Sequence, residues 1–392
     1  MATTDLPFTD ELVHPVEIAE CLGSLTAFAV RYRPLLARSE QEQHLHVYLE
    51  GLVSGLERKS IEPIATAHGL YRRSLQRFVG AGRWSDLDLR AEMLRHIVDE
   101  IGNSDGVLVI DGSAFVKKGE ESVGVARQWC GRLGKIDNCQ VGVFVAYSTP
   151  RGFTLLDTEL YLPKDWAGDR ARRKRAHVPK EVKFQTSWEL ADVLLQRIGP
   201  HVPHTWVIGD DEFGRPSELR DRLADRQARY LLEVPSNTRV RRPPSWSGRK
   251  AKWCTVAARK ARRSPAKWTR LFLRDGDKGP IEVLAFCTRV ETKRPSGPAR
   301  EEVLLVMRAL SGSQTWYFLA PKGTKLDTKA LVRVVAHRHR IEQAFEAAKG
   351  EVGLDHYEVR SWVGWHHHMS LSMLALWFLV LERRRLGKKL QP

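Results

Sequence analysis

Two short apolar runs constrain this chain more than any other feature. Val107-Leu108-Val109-Ile110 ends on Asp111, and Thr205-Trp206-Val207-Ile208-Gly209 ends on Asp210. Runs of this length, bounded by loop signals, have the size of buried strands. Acids released at the ends of such strands collect at one edge of a sheet, where open α/β sheets hold their ligands. Between the two runs, 122–127 and 140–147 read as further strands, with loop signals at Gly131, Gly134 and Asn138. A basic loop follows (Arg170, Arg172, Arg173, Lys174, Arg175), then a helix capped near Thr186 or Ser187 that carries Trp188 to Arg197. Three strands, a helix and a strand predict a mixed α/β (α+β) fold. Taken singly, a strand-terminal Asp is usually a turn or cap residue, so neither acid makes a site alone.

The flanking regions differ in character. Residues 1–100 read as all-helical, with a long periodic stretch from Pro15 through Leu56 and a compact segment at 59–78. In that segment Ser60-Ile61-Glu62-Pro63 suits a helix start, Gly69 breaks the pattern, and apolar positions resume at Leu70, Leu75 and Phe78. The spacing is that of a helix-turn-helix with Arg72, Arg73, Gln76 and Arg77 on its second helix. An ordinary helical hairpin with a basic exposed face fits the same pattern. Residues 230–320 read as mostly β, at 230–234, 269–273, 281–289, 303–310 and 315–319. Positive charge concentrates here, with 18 Lys/Arg against 4 Asp/Glu from Arg239 to Arg300, interleaved with Trp246, Trp253 and Trp268. After Asp327 the chain returns to helix.

Charge narrows the partner class. Lys and Arg number 63 against 47 Asp and Glu, a net charge of +16. A small-molecule enzyme gains nothing from that excess, whereas phosphates of a nucleic acid release counterions to it. The five cysteines are scattered with no CxxC pair, which argues against a disulfide framework and a zinc ribbon and for a reducing compartment. Cys130 and Cys139 read as buried thiols. No signal-peptide pattern opens the chain, and the apolar stretch 369–381 is too short to span a bilayer. A cytoplasmic protein with no membrane partner and no small-molecule substrate is expected.

A third acid connects these features. Arg338-His339-Arg340-Ile341-Glu342-Gln343-Ala344-Phe345-Glu346-Ala347-Ala348-Lys349 is helical, and Arg338, Glu342, Phe345 and Lys349 recur along one broad face. An i,i+4 Arg–Glu pair on a solvated helix would look similar. The stretch RHRIEQAFEAAKGEVGLDHYEVRSWVGWHHH nevertheless resembles the catalytic helix of IS4-like DDE transposases, and most closely the IS701 family of insertion-sequence transposases. In that family a Y-x2-R-x3-E-x6-K pattern surrounds the metal-binding Glu. Arg338, Glu342 and Lys349 match it, while the tyrosine position holds Val335. Two further blocks are similar to the same family: VLVIDGSAFVKKGEESVGVARQWCGRLGKIDNCQVGVF around the first Asp and VIGDDEFGRPSELRDRL around the second. The resemblance spans about residues 20 to 380.

The resemblance implies an RNase H-like catalytic fold with flanking helices, a β-rich insertion and an all-helical N-terminal DNA-binding region. The corresponding divisions are 1–100, 101–228, 229–325 and 326–392. It implies a DDE site of Asp111, Asp210 and Glu342, with Asp211 the neighbouring competitor for Asp210. Two Mg²⁺ ions per site are expected, with Mn²⁺ able to substitute, because phosphodiester cleavage needs metals roughly 3.5–4 Å apart across the scissile phosphate. Lys349 would contact a phosphate near the cut, Arg338 would do the same or buttress Glu342, and Lys117 and Lys118 would steer the scissile strand unless they occupy a solvated turn. The implied partners are double-stranded DNA, both terminal inverted repeats and target, and a second copy in a synaptic dimer. The implied activity is cleavage and strand transfer of an insertion sequence. A catalytically silent DNA-binding regulator and an RNase H-like structure-selective nuclease are the alternatives. Among the tryptophans, Trp246, Trp253, Trp268 and Trp316 are candidates for stacking on a flipped base, although Trp316 reads as a core residue. His366, His367 and His368 look like a metal cluster, but consecutive residues splay apart, and a polar helix start fits them better.

Overall fold

The computed structural model describes residues 15–244, 251–261, 264, 267–276, 279–294 and 296–389. Trp246 lies outside them. The described residues open with helices α1 (Pro15–Val30), α2 (Ser39–Val53), α3 (Ile61–Ala67), α4 (Arg72–Ala81) and α5 (Asp86–Ile101). Gly69, at φ +62°, supplies the left-handed residue that turns the chain between α3 and α4. Ser85 caps α5 by accepting from the Asp88 amide at 3.1 Å.

The sheet follows as β1 (Val107–Val116), β2 (Ala126–Cys130), β3 (Lys135–Thr149) and β4 (Gly152–Leu160). Helices α6 (Lys164–Gly168), α7 (Arg170–Arg175) and α8 (Ser187–Ile198) lead to β5 (Trp206–Gly209). Next come α9 (Asp211–Gly214), α10 (Ser217–Asp225) and β6 (Tyr230–Glu233). The basic segment supplies β7 (Arg239–Arg241), β8 (Cys254–Thr255), α11 (Val256–Ala261), β9 (Thr269–Gly276), β10 (Gly279–Thr292), β11 (Arg300–Ala309) and β12 (Thr315–Pro321). Helices α12 (Thr328–Ala336), α13 (Arg338–Gly350) and α14 (Trp362–Lys389) complete the described chain.

These strands form one sheet in the order β2-β3-β1-β5-β6-β12-β11-β10-β7-β8, with β4 on β3 and β9 on β10. Strands β1, β3 and β4 are an antiparallel meander, and β5 and β6 run parallel to β1. This is the RNase H-like arrangement that the resemblance implied. The β-rich segment does not stand apart from it: β12 pairs antiparallel with β6, so the basic strands continue the same sheet.

Two local expectations change, and one strand was not expected. Residues 122–125 are a turn, and the strand lies at β2 instead. Strand β4 carries no strand expectation in the sequence, because its polar residues Thr154, Asp157, Thr158 and Glu159 hide an element buried through partners elsewhere in the chain. Residues 170–175 form helix α7, capped by Asp169, which accepts from the Arg172 amide at 2.9 Å.

Helix α14 joins the two halves. It packs on α1, α2, α4 and α5 on one side and on β4 on the other, and the main apolar core runs from Leu25 to Phe378. His366, His367 and His368 are buried near the start of α14, not a solvated polar helix start, and they diverge. His366 faces Glu159 at 3.4 Å, His367 stacks on Trp84 with ring centroids 3.7 Å apart, and His368 meets the Tyr48 hydroxyl at 2.9 Å. Among the described residues no helix is long and apolar enough to cross a membrane.

Candidate active site

The parallel pairing of β1 and β5 ends with Ile110 opposite Gly209, so the next residues, Asp111 and Asp210, stand side by side where the two strands part. Asp111 does not close its strand as expected, because β1 stays paired with β3 as far as Val116. Gly209 permits this approach, because a Cβ there would lie 2.6 Å from Ile110 Cγ1. Strand β6 repeats the pattern: Gly209 pairs with Leu232, and Glu233 is the next residue beyond that pair. Three acids therefore stand in a row where the pairing of three parallel strands ends. Glu233 was missed in the sequence, although it follows Tyr230-Leu231-Leu232 as Asp111 follows its own apolar run.

The electrostatics are those of crowded carboxyls. Burial, reinforced by the charge of Asp210, pushes Asp111 well above the usual carboxylate range, against the pull of Arg338. Asp210 is raised by burial, with Arg338 opposing and Asp211 adding. Glu212 and Glu233 are raised by burial as well. Arg338 is the cation that meets this group, ion-paired to Glu233. Each acid also has a local anchor. Asp111 accepts from the Gly112 amide at 2.7 Å, and Asp210 caps α9 by accepting from the Glu212 amide at 3.0 Å. Asp211 turns outward to Arg215 at 2.7 Å.

Helix α13 lies over the same face of the sheet. Phe345 packs edge-on against Phe144, the cross-strand partner of Asp111, with ring centroids 5.2 Å apart. Lys349 Nζ sits 5.4 Å from the Phe115 ring centre; burial lowers its pKa, and Asp355 above all, with Asp111 adding least, partly restores it. Glu342 behaves differently. Its side chain is 55% exposed and meets His339 Nδ1 at 3.0 Å. Among the described residues no three His, Cys, Asp or Glu side chains are gathered in a metal-binding cluster. The structure thus brings Asp111 and Asp210 together under Arg338 and Lys349 and leaves Glu342 apart from them.

The other candidates separate cleanly. Lys117 is not in a solvated turn: its ammonium donates to the Tyr357 carbonyl at 3.0 Å and sits 3.3 Å from that ring's centre, and burial pushes its pKa down to about 8. Lys118 is exposed. Arg72, Arg73, Gln76 and Arg77 are all exposed on α4, with Arg72 paired to Glu62 at 3.0 Å. Trp253 stacks under Arg241, Trp268 packs edge-on against Phe286 at 4.7 Å, and Trp316 packs against the main core. Cys130 and Cys139 are buried free thiols.

Residues 31–285 match the family described as DDE superfamily endonuclease. The chain belongs to that family. Asp111 and Asp210 fall inside the matched DDE segment, and Glu342 lies beyond it. The chain is also similar to a probable transposase for insertion sequence element IS701 from Microchaete diplosiphon, at 28% identity over 251 residues. That alignment spans 62% of this chain and 62% of the relative's length. Among solved structures, a piggyBac transposase in a synaptic complex with hairpin DNA aligns with a TM-score of 0.46 and 10% identity, covering 95% of this chain and 74% of that one.

Proposed function

We propose that this DDE endonuclease is an insertion-sequence transposase of the IS701 type. It binds the terminal inverted repeats of its element as a synaptic dimer, cuts them and joins the ends to target DNA. The observation that carries the reading is the parallel register that sets Asp111 beside Asp210 at the carboxyl edge, beneath Arg338 and Lys349.

The donor set suits a hard divalent cation. Two adjacent carboxylates, held above their usual range with limited compensating charge, gain most from an ion that takes oxygen ligands and keeps several waters. Asp111 and Asp210 would hold Mg²⁺ or Mn²⁺, and Glu342 would join them on leaving His339. Bound there, the metal supplies an activated attacking oxygen and stabilises the leaving one. Arg338 and Lys349 neutralise phosphate charge that the carboxylates would otherwise repel. The exposed basic face of α4 reads the end sequence, while the basic strands β7 to β10 hold DNA backbone nonspecifically.

The test uses a duplex carrying the inverted repeats that flank the gene, incubated with the full chain and Mg²⁺. Asp111→Asn, Asp210→Asn and Glu342→Gln each abolish nicking while end binding persists. A chain that binds the ends but never nicks them overturns the enzyme reading in favour of a regulator. Cutting of branched DNA regardless of end sequence, without end joining, overturns transposition in favour of a structure-selective nuclease.

A further inference from the structure

Beyond the acid row, β1 and β3 continue as an unbroken ladder, from Asp111 opposite Phe144 to Val116 opposite Cys139. Strand β2 extends it to the hairpin tip, with Arg127 opposite Asn138 and Trp129 opposite Ile136. Side chains two apart on a strand share a face, and directly paired residues do too. Counting down β3 from Phe144 through Gln140 and Asn138 to Ile136 therefore places Trp129, Ile136 and Arg127 on the same sheet face as Asp111. Eight residues separate Phe144 from Ile136, roughly 26 Å along the strand.

That face is covered only part of the way. Phe345 and Lys349 cover it near Phe144 and Phe115, and Tyr357 covers it at Gln140, where its hydroxyl donates to Oε1 at 2.8 Å. Past Gln140 the cover ends. Trp129 is 62% exposed and Ile136 is 59% exposed, an aromatic–aliphatic cross-strand pair turned to solvent. An indole in water at a hairpin tip gains nothing for the fold. The hairpin is nevertheless held firmly: Arg132 pairs with Asp355 at 2.8 Å, just past α13, and the Asn138 side chain donates to the carbonyls of Lys117 and Gly119. Exposed Arg127 lies two residues from Trp129 on the same face.

We propose that the Trp129–Ile136 hairpin is a DNA contact, in which the Trp129 indole stacks on an unpaired or unstacked nucleobase and Arg127 meets the adjoining phosphate. The inference rests on the transposase reading above. A flat aromatic face beside a cation matches a base and its phosphate. Continuity with the acid row sets the contact on the path of DNA held for cutting, and the ties at Arg132 and Asn138 position the indole before binding. A second copy of the chain would need an apolar face without Arg127 at its centre.

The experiment compares the full chain with Trp129→Ala and Trp129→Phe on two fluorescein-labelled probes. One is a blunt duplex and the other is the same duplex with a mixed-sequence single-stranded arm. Trp129→Ala weakens binding to the armed probe about fivefold or more, with a smaller effect on the blunt duplex, and Trp129→Phe restores most of the loss. The substituted side chain is exposed, so thermal unfolding stays at the parent value. Equal affinity of Trp129→Ala and parent for the armed probe overturns the hairpin contact, even where the parent cuts DNA normally. A dimer that dissociates in Trp129→Ala with DNA affinity intact overturns it in favour of a self-interface. A parent chain that binds neither probe overturns the transposase reading and this one together.

Discussion

Arg338 is ion-paired to Glu233, and its guanidinium also offsets the charges of Asp111 and Asp210, so one cation on α13 serves acids from three parallel strands. Glu233 gives Arg338 a fixed partner, which orients the first turn of α13 against the sheet edge. Replacing Arg338 with Met leaves Glu233 half-buried without its partner. The pair is partly solvated, so the loss is about 1–3 kcal/mol, below the full-burial range. Urea unfolding measures it, and an unchanged midpoint would show that the pair compensates nothing.

The two adjacent aspartates are predicted to differ in effect. Asp210→Asn keeps the cap on α9, because Asn caps about as well as Asp. It should leave the melting temperature near the parent value while abolishing metal-dependent nicking. Asp211→Asn loses only the exposed pair to Arg215, worth about 0–1 kcal/mol. Single-turnover cleavage then stays within a few-fold of the parent. The reverse pattern would move the ligand role to Asp211.

What could be read in advance follows the range of the forces involved. Strands β1 and β5 announce themselves through unbroken apolar runs, and α8 through the Thr186–Glu189 capping box. All of these signals are local. Strand β4 carries Asp157 and Glu159, which are buried only because Arg90, Arg197 and His366 reach them from other elements. No window around β4 contains those partners, so no strand is expected there. Glu233 was legible by the rule that picked out Asp111, but its run reads as the start of the basic β segment when the β5–β6 pairing is unknown. The outward turn of Glu342 to His339 depends on the side-chain rotamer and on charges across the groove, which spacing along a helix does not encode.

The buried ion cluster under α5 is a second place where removal of one partner should be severe. Arg90 and Asp157 are 4% and 5% exposed, and Arg90 also donates to the Thr158 carbonyl at 2.6 Å. Arg90→Met strips Asp157 and Asp86 of a cation and leaves Arg197 as the remaining partner of Asp157. A loss of about 3–5 kcal/mol is expected, read as a lower urea midpoint. Asp157→Asn, which keeps a hydrogen-bonding oxygen, should lose less. Equal stability of Arg90→Met and parent would mean that apolar packing replaces the charge fully.

Acid sensitivity should originate in the histidines of α14. Burial holds His368 neutral and lowers its pKa to about 3, with Lys117 adding to the shift, and burial lowers His367 as well. Tyr48 meets Nδ1, while Nε2 faces the Gly353 and Leu354 carbonyls and the Ser372 hydroxyl, so the neutral ring is well served. The unfolded chain takes up a proton near pH ~6.5, whereas the folded one resists until about pH 3. Stability from this residue is therefore complete above the unfolded pKa and falls as pH drops through that window, by about 1.4 kcal/mol per unit. Asp111, shifted upward, contributes the opposite slope between the carboxylate range and neutrality, but it does so equally in parent and variant. The difference between His368→Gln and the parent isolates the histidine. His368→Gln should be less stable at pH 7 and show a flatter decline from pH 6.5 to 4 in urea unfolding. Parallel declines would assign the acid sensitivity to other groups.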